Sequence, residues 1–262
     1  MTDSLSAQRI AASCRTSARQ VAIEVVAETG STNADLLARL PNLDTPVLRI
    51  AEAQTAGRGR AGRVWLSAPG VTLTFSIAWK FNRPLPALVG LPLAVGVAVA
   101  ETLDLFGEHT QLKWPNDVLK NGNKLAGILI ETAAIKHAAR DTVWAVIGIG
   151  LNLAMPECLA TQIGRPVAGV NASQLDRNVL MAALLDGLTE ALQQFEATGF
   201  DAFMVRWNQL HAYTGQAVAV LDNGRIVHEG KAVGVDATGR LILETGAGQV
   251  AVVAGDVSLR VV

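Results

Sequence analysis

A glycine- and arginine-rich stretch is the first candidate for chemistry in this sequence of 262 residues. Three arginines alternate with three glycines in Gly57-Arg58-Gly59-Arg60-Ala61-Gly62-Arg63-Val64-Trp65. Glycine lets a backbone bend and approach a ligand closely, and arginine presents a planar, permanently charged fork to carboxylate or phosphate. The pattern predicts a loop that clamps an anion. Its composition alone fits a solvated loop or an RNA-binding tract equally well.

Two further stretches place lysine beside rigid or apolar chain. Lys113-Trp114-Pro115-Asn116-Asp117 offers an ammonium, an amide and a carboxylate on backbone that Trp and Pro restrict. Taken alone, it is more typical of a turn with surface charges. Lys124 opens the apolar run Lys124-Leu125-Ala126-Gly127-Ile128-Leu129-Ile130-Glu131, from which it can reach inward to a ligand. The alternative is a lysine at a strand edge whose stem covers apolar surface.

Glycine alternates with apolar residues in Ile147-Gly148-Ile149-Gly150-Leu151-Asn152. Glycine inside a strand often marks the close approach of a ligand or another backbone, and the alternatives are a bulge or tight helix packing. The third glycine and the following helix of a dinucleotide fingerprint are missing. The stretch therefore predicts close approach and not a Rossmann site.

The elements that must position these stretches follow from apolar periodicity. Strands are predicted at Val21–Ala27, Pro46–Ala53, Val71–Lys80, Gln111–Trp114, Lys124–Thr132 and Thr142–Leu153, with a hairpin turn at Asn121-Gly122. A capping box within Ser31–Asp35 predicts a short helix to about Leu40. Further helices are predicted from Pro84–Pro92 to Phe106-Gly107, over Arg177–Thr198 with Gly199 as its stop, and over Phe200–Leu210.

Length and composition bound the domain organisation and the function class. At ~150 residues per domain the chain holds one to two domains. Turn signals about every ten residues after Tyr213 predict a small all-β module. We expect a flexible segment at 1–20, a first domain at 21–212 and the β module at 213–262. The net charge of −1 argues against binding to DNA or a membrane surface. Two cysteines, Cys14 and Cys158, and scattered histidines predict a reduced cytoplasmic compartment and no tightly bound metal.

The motifs resemble, in order, the catalytic domain of bacterial biotin protein ligases. They are Ser31-Thr32-Asn33, Gln54 with Gly57-Arg58-Gly59-Arg60, Lys113 to Asp117, the run opened by Lys124, and Gly148 to Asn152. The tail Gly255-Asp256-Val257-Ser258-Leu259-Arg260 resembles the end of that family's C-terminal barrel, so the resemblance covers about residues 21–262. It implies an α+β fold. A mixed β-sheet catalytic domain of the biotin/lipoate ligase type, with helices on one face, precedes a small C-terminal SH3-like β-barrel.

The resemblance also implies an activity. The family activates biotin with ATP and Mg²⁺ to biotinyl-5′-AMP, releases pyrophosphate, and passes biotin to one lysine of the biotin carboxyl carrier protein of acetyl-CoA carboxylase. The catalytic residues would be Lys124, Arg60 and Asp117. Biotin and its adenylate would be bound by Ser31, Thr32, Asn33, Gln54, Gly57, Arg58, Gly59, Arg60 and Lys124. The nucleotide would be bound by Arg63, Trp65, Lys113, Asn116, Asn152 and Arg260.

The sequence departs from larger family members in two places. About 20 residues precede the first predicted strand, so we expect a monomeric or homodimeric ligase without the DNA-binding domain and repressor activity that larger members carry. Some members stack adenine on a Trp downstream of the glycine strand. No aromatic residue lies between Trp144 and Phe195, so we expect an aliphatic adenine pocket or backbone contacts. The alternative functions are a lipoate or octanoyl transferase and an RNA-binding module.

Overall fold

The computed structural model describes residues 4–134, 142–164, 166–171, 175–255 and 257–262. Asp256 of the C-terminal motif lies outside the described residues. Seven of the described strands form one mixed sheet in the order β1-β2-β3-β7-β6-β5-β4. These strands are β1 Ala22–Thr29, β2 Val47–Gln54, β3 Thr72–Phe81, β4 Gln111–Lys113, β5 Asp117–Lys120, β6 Asn123–Ala134 and β7 Val143–Asn152. Only the β1–β2 pair is parallel, and the other neighbours within this sheet are antiparallel.

The alternation of side chains along the central strands divides the sheet into two different faces. Ile77 of β3 and Ile147 and Ile149 of β7 belong to the main hydrophobic core. Ser76 and Gly148 alternate with these residues along the same two strands and therefore lie on the opposite face. Helix α2, Thr32–Arg39, connects β1 to β2 and packs on that second face through Leu36 and the following Leu40. The expectation of helices on one face is therefore wrong for α2.

The main-core face is covered by the remaining long helices. These are α3 Leu91–Asp104, α5 Arg177–Thr198 and α6 Asp201–Leu210, and the short helix α4 spans Glu157–Ile163. The window Leu85–Asp104 has the length and hydropathy, 1.7, of a membrane-spanning helix, but 67% of it is buried inside the protein. Its buried apolar surface packs against α5 and the sheet, which confirms the predicted core helix. Gly199 ends α5, as the sequence predicts.

The N-terminal segment is a packed element, so the prediction of a flexible stretch at residues 1–20 is wrong for residues 4–20. Ser6 caps α1, Ala7–Ser13, and Ile10 of that helix is fully buried. Polar contacts to the rest of the molecule hold it in place. The amide of Leu5 donates to Glu52, that of Ser6 donates to Asn178, and that of Arg15 donates to Asp186.

The C-terminal strands form a second sheet, antiparallel throughout, in the order β11-β10-β9-β8-β12. The strands are β8 Ala217–Asp222, β9 Arg225–Val235, β10 Leu241–Thr245, β11 Gly248–Val252 and β12 Val257–Val261. The small all-β module and the α+β class are thus confirmed. Trp114 Nε1 donates to the carbonyl of Gly239 at 3.2 Å and Ala212 N to that of Leu112 at 2.9 Å. These bonds join the second sheet to the strand that carries Lys113.

Candidate active site

A cleft opens on the α2 face of the large sheet, and its floor at one end is a chain of buried polar side chains. Thr32, Asn33 and Ser76 are 3%, 3% and 0% exposed. Thr32 Oγ1 lies 2.6 Å from Ser76 Oγ, which donates to Asn33 Oδ1 at 2.6 Å. Gln54 Oε1 accepts from the Thr32 amide at 2.8 Å. These contacts place hydroxyl and amide groups, without net charge, around one end of the cleft.

The start of α2 presents these groups. Ser31 is the N-cap, and its hydroxyl accepts from the amide of Ala34. Thr32 and Asn33 therefore occupy the first helical turn and point over the sheet. The predicted capping box is wrong in its partner, because Asp35 bonds instead to the hydroxyl of Thr29 and to Arg49, both at 2.7 Å.

The arginine-rich loop crosses the cleft as a folded segment. The Trp65 amide donates to Gly57 O at 2.9 Å and the Gly59 amide to Arg63 O at 2.7 Å. Ala61, with a φ of 53°, takes the left-handed conformation that turns the loop. Gly57 is required by close approach, because a Cβ there would lie 2.4 Å from Trp65 O.

Two arginines of this loop are held by groups on other elements. Arg58 Nη2 lies 3.0 Å from the Glu131 carboxylate of β6, which also accepts from Asn33 Nδ2 at 2.9 Å. Arg60 Nη1 donates to Asn116 Oδ1 at 2.8 Å, and its Nη2 contacts the carbonyl of Gly255. The loop is thus tied both to the polar floor and to the C-terminal sheet.

A cation–carboxylate pair stands at the other end of the cleft. Lys124 Nζ lies 2.5 Å from Asp117 Oδ1, with side chains 18% and 19% exposed, and 5.8 Å from the centre of the Trp65 ring. Lys113 Nζ lies 5.9 Å from the ring of Tyr213. Burial and the neighbouring Asp117 raise the pKa of the Tyr213 hydroxyl, and Arg260 opposes that shift. Cationic groups therefore concentrate at this end.

The glycines of the central strands make room for protein side chains. A Cβ at Gly148 would lie 2.3 Å from Asn33 Oδ1, and a Cβ at Gly150 would lie 2.2 Å from the Trp65 ring. A Cβ at Gly127 would lie 2.9 Å from Lys124 Nζ. The prediction of close approach at Gly148 and Gly150 is confirmed, and the approaching groups in this structure are Asn33 and Trp65.

Most of the residues predicted for the site line this one cleft. They are Ser31, Thr32, Asn33, Gln54, Arg58, Gly59, Arg60, Arg63, Trp65, Lys113, Asn116, Asp117, Lys124 and Arg260. Gly57 does not line the cleft, and it pairs with Trp65 at the base of the arginine-rich loop. Asn152, predicted to bind the nucleotide, is 3% exposed and does not line the cleft. Its amide donates to Lys124 O at 3.4 Å and to Ala168 O at 3.0 Å, so it supports the backbone behind Lys124.

Several residues of the cleft have no role in the predictions from the sequence. The sequence carries a signal for Ser76, because this polar residue interrupts an apolar strand on the face that also carries Thr74. Glu131 ends the apolar run that Lys124 opens, and a carboxylate at that point was a usable signal. Val257, Ser258 and Leu259 of β12 also line the cleft beside Arg260. No local pattern placed the second sheet over the first.

Trp65, which the resemblance assigns to the nucleotide, brings an aromatic ring into the cleft. Trp65 comes from the arginine-rich loop rather than from the chain downstream of the glycine strand. Its indole Nε1 is buried and makes no hydrogen bond with the described residues. No group of three or more His, Cys, Asp or Glu suitable for a metal occurs among the residues that the structure describes.

A mixed sheet with a helix-capping Ser-Thr-Asn segment, an arginine-rich loop and a lysine on β6 defines a protein of the biotin/lipoate ligase class. The family model described as "Biotin/lipoate A/B protein ligase family" matches residues 23–152, and "Biotin protein ligase C terminal domain" matches residues 213–260. The chain belongs to the biotin protein ligase family, and the predicted ligase-type catalytic fold with its small SH3-like C-terminal domain is confirmed.

Relatives and solved structures support this membership. The chain is 36% identical to the bifunctional ligase/repressor BirA of Escherichia coli, over 91% of this chain and 74% of that protein. It is 36% identical to the biotin–[acetyl-CoA-carboxylase] ligase of Mycobacterium tuberculosis, over 90% and 88% of the two chains. The structure matches biotin protein ligase from Aquifex aeolicus in complex with biotin and ATP with a TM-score of 0.76 and 29% identity, covering 92% of this chain and 99% of that one.

Proposed function

We propose that this protein is a biotin–[acetyl-CoA-carboxylase] ligase that activates biotin with ATP and transfers it to a lysine of a carrier protein. One observation carries the proposal: a single cleft has a neutral hydrogen-bonding end and a cationic end. Thr32, Asn33 and Ser76 suit an uncharged ureido head. Lys124 and the arginines of the loop suit the carboxylate at the other end of biotin and the phosphates of ATP.

In the first step, a carboxylate oxygen of biotin attacks the α-phosphorus of ATP. A C–O–P bond forms, the bond to the β-phosphate breaks, and pyrophosphate leaves with its electrons. No protein nucleophile is needed, because the substrate supplies one. Lys124 and Arg60 neutralise the two anions that must approach each other and stabilise the charge that develops at phosphorus. Mg²⁺ enters with ATP as part of the substrate complex.

The adenylate is a mixed anhydride that water hydrolyses, so the cleft must exclude water until transfer. The loop from Arg58 to Arg63 covers the site and is anchored through Arg60 to Asn116 and the Gly255 carbonyl. Water exclusion also strengthens the electrostatic contacts inside the cleft. Trp65, Arg63, Lys113 and Arg260 surround the space assigned to the nucleotide.

In the second step, the neutral amine of the acceptor lysine attacks the biotinyl carbonyl. A C–N bond forms, AMP leaves, and the amine loses a proton. Asp117 is the nearest carboxylate to Lys124, at 2.5 Å, and in this proposal it orients the amine and receives that proton. The acceptor is the biotin carboxyl carrier protein, and the reaction takes place in the cytoplasm. Residues 21–212 form the catalytic domain and residues 213–262 the C-terminal domain.

The test is transfer to a purified carrier domain in the presence of biotin, ATP and Mg²⁺. Streptavidin blotting should detect biotin on the carrier and none on a carrier whose acceptor lysine is replaced by arginine. Lys124→Ala should abolish the product while the circular dichroism spectrum is retained. The matched control is Lys80→Ala, which removes an exposed lysine of β3 and should leave transfer unchanged. Near-normal transfer by Lys124→Ala would remove that lysine from the mechanism.

A further inference from the structure

The cleft contains lysines of the protein itself, beside the place where the proposed reaction makes a reagent that acylates lysine. Lys113 and Lys124 both line it. The carboxylate of biotin is assigned to the end of the cleft where Lys124 stands, so the amine of Lys124 lies next to the carbonyl carbon that the acceptor lysine must attack. An attack by Lys124 itself would consume the adenylate and convert the catalytic lysine to a neutral amide.

The amine of Lys124 is held by several contacts. Its Nζ lies 2.5 Å from Asp117 Oδ1 and 5.8 Å from the centre of the Trp65 ring, whose face attracts a cation. A Cβ at Gly127 would lie 2.9 Å from Nζ, so the amine rests against the backbone of β6. The carboxylate stabilises the ammonium form, which has three hydrogens and no lone pair. An ammonium cannot attack a carbonyl, because attack requires that lone pair.

The charges around this pair make the carboxylate decisive. Among the described residues that line the cleft, Asp117 is the one Asp or Glu, whereas Arg60, Lys113 and Arg260 bring positive charge. Without Asp117, Lys124 would be a largely buried cation among other cations. Burial and like charge both favour the neutral amine, which is the nucleophilic form of lysine. Asp117 therefore determines which form of Lys124 faces the adenylate.

We propose that Asp117 protects Lys124 from acylation by the adenylate, and that Lys124 becomes a site of covalent modification when this carboxylate is removed. In that reaction the neutral Nζ attacks the biotinyl carbonyl and a C–N bond forms. The C–O bond to AMP breaks, AMP leaves with the electron pair, and the amine loses one proton to water. The biotinyl amide on Lys124 cannot neutralise an anion in a later turnover. This inference rests on the proposed function, because it requires the adenylate in the cleft.

A second lysine provides a matched comparison. Lys120 Nζ lies 2.5 Å from Glu108 Oε2, and the two side chains are 23% and 9% exposed. This ion pair resembles that of Lys124, but neither of its residues lines the cleft. Glu108→Gln removes the charge of a buried partner at a lysine that does not face the adenylate. Lys120 should gain no biotin in that variant, which separates the loss of an ion pair from its loss beside the adenylate.

The test supplies purified biotinyl-5′-AMP without ATP or carrier, so that the first step is not needed. Isothermal titration calorimetry measures adenylate binding, and peptide mass spectrometry measures biotin at each lysine, with the exposed Lys80 as the background. Asp117→Asn keeps the size and removes the charge. In this variant, labelling of Lys124 should exceed that of Lys80 about tenfold or more, because the amine is held beside the carbonyl.

Further variants identify the modified group and guard against a folding defect. The smaller neutral residue of Asp117→Ser should give the same labelling of Lys124 as Asp117→Asn. Adding Lys124→Arg to Asp117→Asn should abolish the extra biotin. In the wild-type protein, Lys124 should be labelled no more than Lys80.

The outcomes distinguish this inference from the proposed function. Failure of the wild-type protein to bind the adenylate would refute the proposed function and the protection together. Adenylate binding by the wild type and both Asp117 variants, with Lys124 labelled no more than Lys80, would refute only the protection. Equal labelling of Lys124 in the wild type and the variants would also overturn it. Loss of adenylate binding in both Asp117 variants would do the same, because Asp117 would then be a binding residue.

Discussion

Gly148→Ala is a direct perturbation of the polar floor of the cleft. An added Cβ would lie 2.3 Å from Asn33 Oδ1 and 2.9 Å from its Cγ, so one of the two groups must move. Asn33 is buried and bonded to Ser76 and Glu131, so it cannot withdraw without losing those bonds. We expect Asn33 to be displaced and the recognition of the biotin head to be weakened.

The magnitude follows from two opposing effects. Overpacking a well-filled interior destabilises a protein by about 1–3 kcal/mol. Alanine in a strand is favoured over glycine by about 0.5–1 kcal/mol. The net loss of stability is therefore about 0–2.5 kcal/mol by these two principles. The affinity for biotin should fall about tenfold to a hundredfold, because the displaced Asn33 loses its hydrogen-bond partners in the floor of the cleft.

Urea unfolding measures the first quantity and isothermal titration with biotin the second. Gly30→Ala is the matched control, because nothing lies within 4 Å of a Cβ at that position, and it should bind biotin normally. Wild-type affinity in Gly148→Ala, with the protein folded, would refute the argument that Gly148 is needed to admit Asn33.

Three other predictions concern the N-terminal helix, an inter-domain histidine and the loop. Ile10→Ala should lower the free energy of unfolding by about 2–5 kcal/mol, because Ile10 is fully buried in α1; a change below about 0.5 kcal/mol in urea unfolding would restore the view of a frayed segment. Burial lowers the pKa of His211 to about 4 from 6.5. The unfolded chain therefore binds the extra proton between those values, and stability present above pH 6.5 falls toward pH 4 by about 3 kcal/mol. His211→Phe should flatten the decline in urea midpoint between pH 7 and pH 5, and an equally steep decline in that variant would contradict the assignment. Arg60→Gly removes the contacts to Asn116 and Gly255, so activated biotin should escape and label lysines of a bystander protein such as serum albumin; unchanged retention of the adenylate would show that the loop does not close the cleft.

The main elements of the fold follow from local patterns in the sequence. Apolar alternation located β3 and β7 within one or two residues, and the period of Arg177–Thr198 located α5 as observed. Asn121 and Gly122 both have positive φ, 51° and 75°, as the predicted hairpin turn requires. Each of these signals arises from neighbours close in the chain, where periodicity and turn chemistry act directly.

The features missed in the sequence depend on partners far apart in the chain. Strand β5 has only four residues with charged ends and carries little periodicity of its own. Helix α1 has one fully buried apolar residue and is held through Arg9 and Asp176, Leu5 and Glu52. The bond from Asn33 to Glu131 spans 98 positions. No local pattern encodes such a pairing, so the family motifs located the cleft but not the hydrogen bonds that join the residues of its floor.

The most direct test of the proposed activity is ATP–pyrophosphate exchange with purified protein, Mg²⁺ and labelled pyrophosphate, supplied with biotin, with lipoate or with no acid. Exchange requires that an acyl adenylate forms reversibly, so it isolates the first step from any carrier. Because one end of the cleft suits an uncharged ureido head, we expect exchange with biotin alone. Exchange with lipoate and none with biotin would contradict the account.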